Sequence, residues 1–452
     1  MKMLKFVASA VVAVAVSCAG MAQTQTVRLY CADSQGSDLS LKVTGEGTVH
    51  VRWTEGVEND YSQSVLRGKC YEDTITITMP RTITGFDCDS SSISWLDVSG
   101  APALTSLNCA GNRLAALNVD GLTQLDELQC SGNDIKSLSV ATNGKLRYLD
   151  CADNQIESLN LGECPLLEVL SCSGNPIASL DLSRNDALRG LWSMDCGIES
   201  LDLSLCRNLN TIVASHGKLA SINLGPAISL EDLWLDHNCL SALDLKGTNA
   251  LVNANLSDNE LESLDLRELS TKNKITYFNC GNNHLPFSSF LPYNKVTEYV
   301  GGAQDNVYCG YDSLAVNELT DFAELITNAG GTKIGILTAF DAKTGNELEK
   351  GGNGKDYQYL IGRVRFWHEI DSVYFVVTST RYTDLEIRTN AFVVYDPEAT
   401  AIHSATTETS PNNAQWDAEN GLRSSLFDLF GRRVATPQRG KIYIHNGKKI
   451  VY

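Results

Sequence analysis

"LRYLDCADNQIESLNLGEC" (Leu146–Cys164) is followed, after Pro165-Leu166, by "LEVLSCSGNPIASLDLSRN" (Leu167–Asn185). The two stretches share their leucines, a cysteine, an asparagine and a closing polar turn at the same spacing. The pattern recurs every 21 residues, with its central apolar residue at Phe86, Leu107, Leu128, Leu149, Leu170, Leu191, Ile212, Leu233 and Ala254. A tenth unit stands at Phe278 after three inserted residues. Units of about twenty residues bury too little apolar surface to fold alone, so each must close the apolar face of the next.

The first half of each unit alternates apolar and polar residues, the mark of a short strand with every second side chain inward. Leu149 and Cys151 are expected in the core, with Tyr148, Asp150 and Ala152 outside. Asn154 then turns the chain, and an inward amide there can satisfy backbone groups that a tight turn leaves unpaired. The same asparagine returns at 112, 133, 175, 238, 259 and 283. The second half, typified by Leu180-Asp181-Leu182-Ser183, is too short for a full helix. Strands stacked about 4.8 Å apart make a parallel sheet along one wall of a solenoid about 50 Å long.

This framework resembles the leucine-rich repeat family, specifically the 21-residue, cysteine-containing, internalin-like branch of bacterial surface proteins. The likeness covers residues 83–292. It implies a curved solenoid whose concave sheet face binds a partner, without naming the partner.

The ends carry addresses. Residues 1–22 hold Lys2 and Lys5, the apolar run Phe6–Val16 and small residues up to Ala22, the layout of a cleavable export signal. The run is too short to span a bilayer, and no other segment reads as a transmembrane span. Ala15-Val16-Ser17-Cys18 is a poor lipobox, which leaves a lipoprotein open. The formal net charge of -18 argues against nucleic acid and against adsorption to anionic lipid. Residues 422–452 reverse that balance and end in "LFDLFGRRVATPQRGKIYIHNGKKIVY" (Leu426–Tyr452), two apolar runs about a turn that suggest β-hairpins. Asp428, Gly431, Arg432, Val434, Gly440–Ile444 and Asn446-Gly447-Lys448-Lys449 resemble the C-terminal sorting domain of type IX (Por) secretion cargo. Thr400–Glu408 resembles the entry to such a domain. The resemblance implies the type IX secretion machinery as a partner and an outer-membrane-attached or extracellular destination.

Between these ends, residues 23–82 hold three β-patterned runs, Val27–Tyr30, Leu39–Trp53 broken at Gly45–Gly47, and Thr74–Thr78. They are expected to form a β cap, since an uncovered solenoid end exposes core. Export permits a disulfide between Cys31 and Cys70, a pairing the sequence leaves open. Residues 293–397 alternate in the manner of an immunoglobulin-like β-sandwich, although they lack that fold's Cys…Trp…Cys spacing. Residues 398–421 are rich in Ser, Thr, Asn and Ala and read as a linker.

Cys88, Cys109, Cys130, Cys151, Cys172 and Cys280 share one inward register, and read as buried thiols acting as small hydrophobes. Ser193, Ala214, Leu235 and Leu256 replace them elsewhere, which packing tolerates and chemistry would not. Cys196 takes a turn-asparagine position, and Cys164 and Cys206 share a second corner with Asn185. Asp181, Asp202, Asp244 and Asp265 recur at the repeat period, so corner hydrogen bonding accounts for them better than catalysis. There is no nucleophile elbow, H-E-x-x-H or phosphate-cradling glycine loop, so no enzyme, cofactor or catalytic residue is expected.

Function should lie on the outward strand positions, which do not hold the coils together. Tyr148, Val169, Trp192, Met194, Val213 and Trp234 cluster there over five consecutive units, with Asp150 and Asp232 beside them. Tryptophan is costly to leave wet on a flat sheet, and a contiguous apolar patch marks a binding surface. Rings with nearby carboxylates suit a sugar face or an aliphatic side chain of a protein. His216 and His237 lie one period apart, with Asp195 and Asp258 in the same register; such a set reads as a solvated column rather than a metal site. The sequence therefore points to a secreted, adhesin-like binding protein for a protein or glycan on host or neighbouring cells. Two rivals stand beside it: an enzyme or inhibitor housed in 293–397, and a structural surface or biofilm component.

Overall fold

The computed structural model describes residues 24–31, 38–69, 74–266, 275–290, 298–328, 331–380, 382 and 384–397, with three short strands between 426 and 451. It divides into two compact units between Tyr395 and Asp396. The expected export signal, the 398–421 linker, Cys70, and Asp428, Gly431, Arg432, Val434, Gly440, Lys441, Asn446 and Gly447 lie outside the described residues. No helix among the described residues is long and apolar enough to cross a membrane.

The repeat strands form one wall of a β-solenoid. Tyr148-Leu149-Asp150 pairs in parallel register with Glu127-Leu128-Gln129 on one side and Val169-Leu170-Ser171 on the other. The middle residue of each strand is buried while its neighbours face outward. The strands belong to a thirteen-stranded sheet. Removing a buried leucine from such a stack costs about 2–5 kcal/mol, because the close-packed neighbours cannot collapse into the gap.

The turn asparagines tie each coil to the one before it. Asn154 Oδ1 accepts the Ile135 N–H at 3.0 Å, while Nδ2 donates to the Cys130 and Cys151 carbonyls at 3.0 and 3.1 Å. Asn133, Asn175, Asn238 and Asn259 repeat the arrangement. The residue before each asparagine, or before Cys196 and Gly217 where these take its place, sits in the left-handed region, where glycine, Asp, Asn and His are the tolerated types. It is Gly132, Asp153, Gly174, Asp195, His216, His237, Asp258 and Asn282 along successive coils. On the opposite wall Asp181, Asp202 and Asp244 accept the N–H two residues on, at 2.8 to 2.9 Å. Those hydrogen bonds to Ser183 and Ser204 hold the Asp181 and Asp202 carboxyls below the usual range.

Two features depart from expectation at the solenoid's far end. The parallel ladder does not stop at 292: Glu298-Tyr299-Val300 pairs in register with Tyr277-Phe278-Asn279. Gln304 then stands in for the asparagine, donating Nε2 to the Cys280 and Gly301 carbonyls at 2.8 Å and accepting the Leu285 N–H at 2.9 Å. The segment expected to open the sandwich at 293 thus also supplies a final coil. Ala303–Val307 passes from this coil into a six-stranded sheet, pairing in parallel with Glu386–Thr389. That sheet and a three-stranded one (Thr320–Asp321, Arg363–Phe366, Tyr357–Leu360) enclose Phe322, Phe366, Phe375 and Phe392.

At the near end, Asp38–Gly45 and Val65–Lys69 extend the ladder antiparallel from Ile83–Asp87. A second sheet (Val57–Tyr61, Val49–Thr54, Thr74–Met79, Gln25–Cys31) ends on Ile93–Asp97, the return wall of the first coil. The cap therefore closes both walls. Trp53 is buried between them, and Gly68 is the residue that leaves it room, since a Cβ there would stand 2.4 Å from the indole. Val57–Tyr61 and Val65–Lys69 were not among the expected strands. The sulfur of Cys31 lies 3.8 Å from the Ser91 carbonyl.

In the second unit, Leu426–Phe427, Ile442–His445 and Lys448–Val451 form a three-stranded antiparallel sheet.

Candidate binding face

The outward residues of the ladder form columns one strand apart. Trp192, Val213 and Trp234 stand side by side on three adjacent strands. The neighbouring column reads Tyr148, Val169, Gly190, Thr211, Asp232, Asn253, Tyr277. Successive members are about 4.8 Å apart, so Trp192 and Trp234 are separated by about 10 Å with Val213 between them. The structure thus brings Tyr148, Val169, Trp192, Val213 and Trp234 onto one face, with Met194 two residues beyond Trp192.

The tryptophans are half-buried rather than open, each for its own reason. Trp192 folds back over its own strand and covers Gly190; a Cβ at 190 would meet the ring at 2.4 Å. Gly190 is thus the floor on which the indole lies. Trp234 stacks against Tyr277, ring centroids 5.7 Å apart and planes 19° off parallel. Tyr277, one residue before the central Phe278 of the tenth unit, was not in the expected aromatic group; it stands in the column of Asp232 and Asn253, two strands from Trp234, and its ring reaches across to that indole. The aromatic surface therefore reaches from Tyr148 to Tyr277.

The carboxylates are oriented by neighbours. Asp150 accepts the Ser131 hydroxyl at 2.8 Å, and Asp232 accepts the Asn253 amide at 2.8 Å. Burial, then the negative charges of Asp150 and Glu127, raise the Tyr148 phenol above its ordinary value, so it remains a neutral donor. Behind this face, burial pushes the Cys109, Cys151 and Cys280 thiols up to about 12. Thiols so placed are poor nucleophiles, and they fill space as the repeat pattern implied.

One cluster at the edge of the face was only half visible in the sequence. The His216 and His237 rings stack with centroids 4.3 Å apart, and the carboxylate within reach of both is Asp236 rather than Asp195. Asp236 lies two residues past Trp234, where the strand Asp232–Trp234 has ended, and on a different column from the histidines. Period arithmetic alone does not bring the two columns together; the corner's left-handed turn does.

Residues 145–185 match the family model for leucine-rich repeats, two copies. No curated protein matches the sequence. Among solved structures, the chain is similar to the functional domain of InlJ from Listeria monocytogenes, which includes a cysteine ladder: 20% identity, 73% of this chain and 94% of that one, TM-score 0.36. YopM from Yersinia enterocolitica aligns at 23% identity over 54% of this chain and 52% of its own, TM-score 0.42. A leucine-rich repeat protein from Leptospira interrogans aligns at 18% identity over 47% and 66%, TM-score 0.36.

Proposed function

We propose that this protein is an exported, surface-displayed leucine-rich repeat protein that binds a protein or glycan partner through the outward face of its sheet. The observation that carries the reading is the in-register placement of Trp192, Val213 and Trp234 on adjacent strands. Tyr148, Val169, Met194 and Tyr277 extend this surface, and Asp150 and Asp232 supply oriented acceptors. A firm sheet carrying half-buried aromatic rings loses little side-chain freedom on docking, so contact area converts to affinity efficiently. Polar groups on neighbouring strands fix orientation, as a sugar ring or a peptide with aliphatic and amide groups would require.

Export and display are supported by the Lys2/Lys5 and Phe6–Val16 pattern and by the Gly431-Arg432 and Asn446–Lys449 motifs of the tail. In this reading the type IX secretion machinery handles the tail, and the mature chain stands at the outer surface or is released from it.

The test uses Trp192→Ala, Trp234→Ala and the double variant on arrays of host proteins and glycans. Any ligand of the native chain should bind each single variant about 30-fold more weakly, as expected for a buried aromatic anchor. Circular dichroism should be unchanged. Undiminished binding by the double variant would remove the site from consideration.

A further inference from the structure

His216 and His237 occupy the left-handed corner position on adjacent coils, with φ of +57° and +55°. Elsewhere that position holds Gly111, Gly132, Gly174, Asp153, Asp195, Asp258 or Asn282. Histidine gains nothing over glycine in backbone terms there, so two in succession call for a reason in their rings. The Asp236 carboxylate supplies one. It is only 8% exposed, and its Oδ1 accepts the Ser215 hydroxyl at 2.6 Å. Its Oδ2 lies 3.1 Å from His237 Nδ1 and 3.7 Å from His216 Nε2. One donor atom from each of the three residues falls within 4.8 Å of the others. Ligands about 2.0–2.1 Å from a tetrahedral zinc ion stand about 3.3 Å from one another, so the two carboxylate–imidazole separations already bracket the required value.

We propose that His216, Asp236 and His237 form a binding site for a divalent transition-metal ion of the zinc class. Two imidazoles and one carboxylate suit zinc, copper or nickel, whereas calcium and magnesium demand oxygen ligands. Ligation uses the neutral imidazoles, so the ion takes the place of the direct His237 Nδ1–Asp236 contact. The carboxylate is held from behind by Ser215, and Asp258 Oδ2 lies 3.8 Å from His237 Nε2, where an outer carboxylate orients a ligating ring. Parallel stacked rings cannot both aim lone pairs at one ion, so one must turn about its Cβ–Cγ bond. The side chains are 53% and 50% exposed, which leaves room for that turn. Three protein ligands leave at least one position open toward solvent, beside the strand that carries Trp234.

The test is calorimetric titration of the full chain with zinc chloride alone. Cys18, Cys70 and Cys239 are replaced by serine in this background, so that these three thiols do not compete for the ion. One ion per chain is expected, in the micromolar range. His216→Gly and His237→Gly install the residue that other coils carry at this corner, so the fold tolerates them. Each should weaken zinc binding at least tenfold, and Asp236→Asn should do the same. His368→Gln, which removes a histidine bonded to Asp356 in the C-terminal sheets, should leave the titration unchanged. The proposal is overturned if the native cluster takes up no zinc at micromolar concentration, or if the double glycine variant binds as tightly as its parent.

Discussion

Asn154 shows how much a single side chain contributes to this fold. It is buried, and its amide makes three donor contacts and accepts one N–H across two coils. Asn154→Ala leaves the Ile135 N–H and the Cys130 carbonyl without these partners in a dry interior, at a cost of about 3 kcal/mol. Urea denaturation should show that loss as a lower midpoint with an unchanged slope. Cys196 occupies the same position one unit past Asn175 and offers only a thiol there, its Sγ 3.4 Å from the Cys172 carbonyl. Cys196→Asn supplies an acceptor for the Ile177 N–H and should raise stability by about 1 kcal/mol. A fall would mean that Cys196 packs in a way the amide cannot reproduce.

Among the elements, the final coil is fastened by an ionisable group. His284 Nε2 contacts Glu260 Oε2 at 2.7 Å, and its Nδ1 meets the Asp305 carbonyl. Burial alone lowers its pKa, but the Asp305 and Glu260 contacts outweigh it, and the net shift is upward. A folded-state pKa above the unfolded one stabilises the fold fully below about pH 6.5, and the gain fades as pH rises through the folded value. The melting-temperature difference between the native chain and His284→Gln should therefore be largest in mild acid and shrink toward alkaline pH. A constant difference would show that the imidazole acts by packing alone. The strands of the ladder were legible because Leu149, Leu170 and Leu191 recur without a slip, and an unbroken period admits one register. The last coil was not, because Tyr299, Gly301 and Gln304 replace the leucine, cysteine and asparagine that announce a unit. Val57–Tyr61 escaped notice for another reason. It is a largely exposed edge strand reading Val-Glu-Asn-Asp-Tyr, so no buried face imposes alternation on it. The aromatic residues of the face were legible, since outward positions follow from strand alternation. The His216–Asp236–His237 cluster was not, since it joins two columns at a bend.

For the whole molecule, the ties between coils are uneven, and they are thinnest at one place. From Asn112 to Asn175 each first corner carries an asparagine. Between the coils of Leu170 and Leu191 the corner contacts are thiols: Cys196 to the Cys172 carbonyl, and Cys206 to the Leu182 carbonyl at 3.6 Å. The following joint also lacks its asparagine, at Gly217, but Ser200–Asp202 and Ser221–Asn223 pair there as an extra two-stranded sheet. In the function proposed above, one end fixed to a surface and the face gripped by a partner put the chain under tension, and tension finds the weakest seam. Stretched in an optical trap, this chain should tear first between residues 172 and 196, leaving two stacks that each keep one closed end. Rupture beginning at either terminus instead would mean the seam is not the fuse. Since Trp192 sits on that line, a partner spanning it would act as a splint, and the force needed to open the molecule would rise when the partner is held.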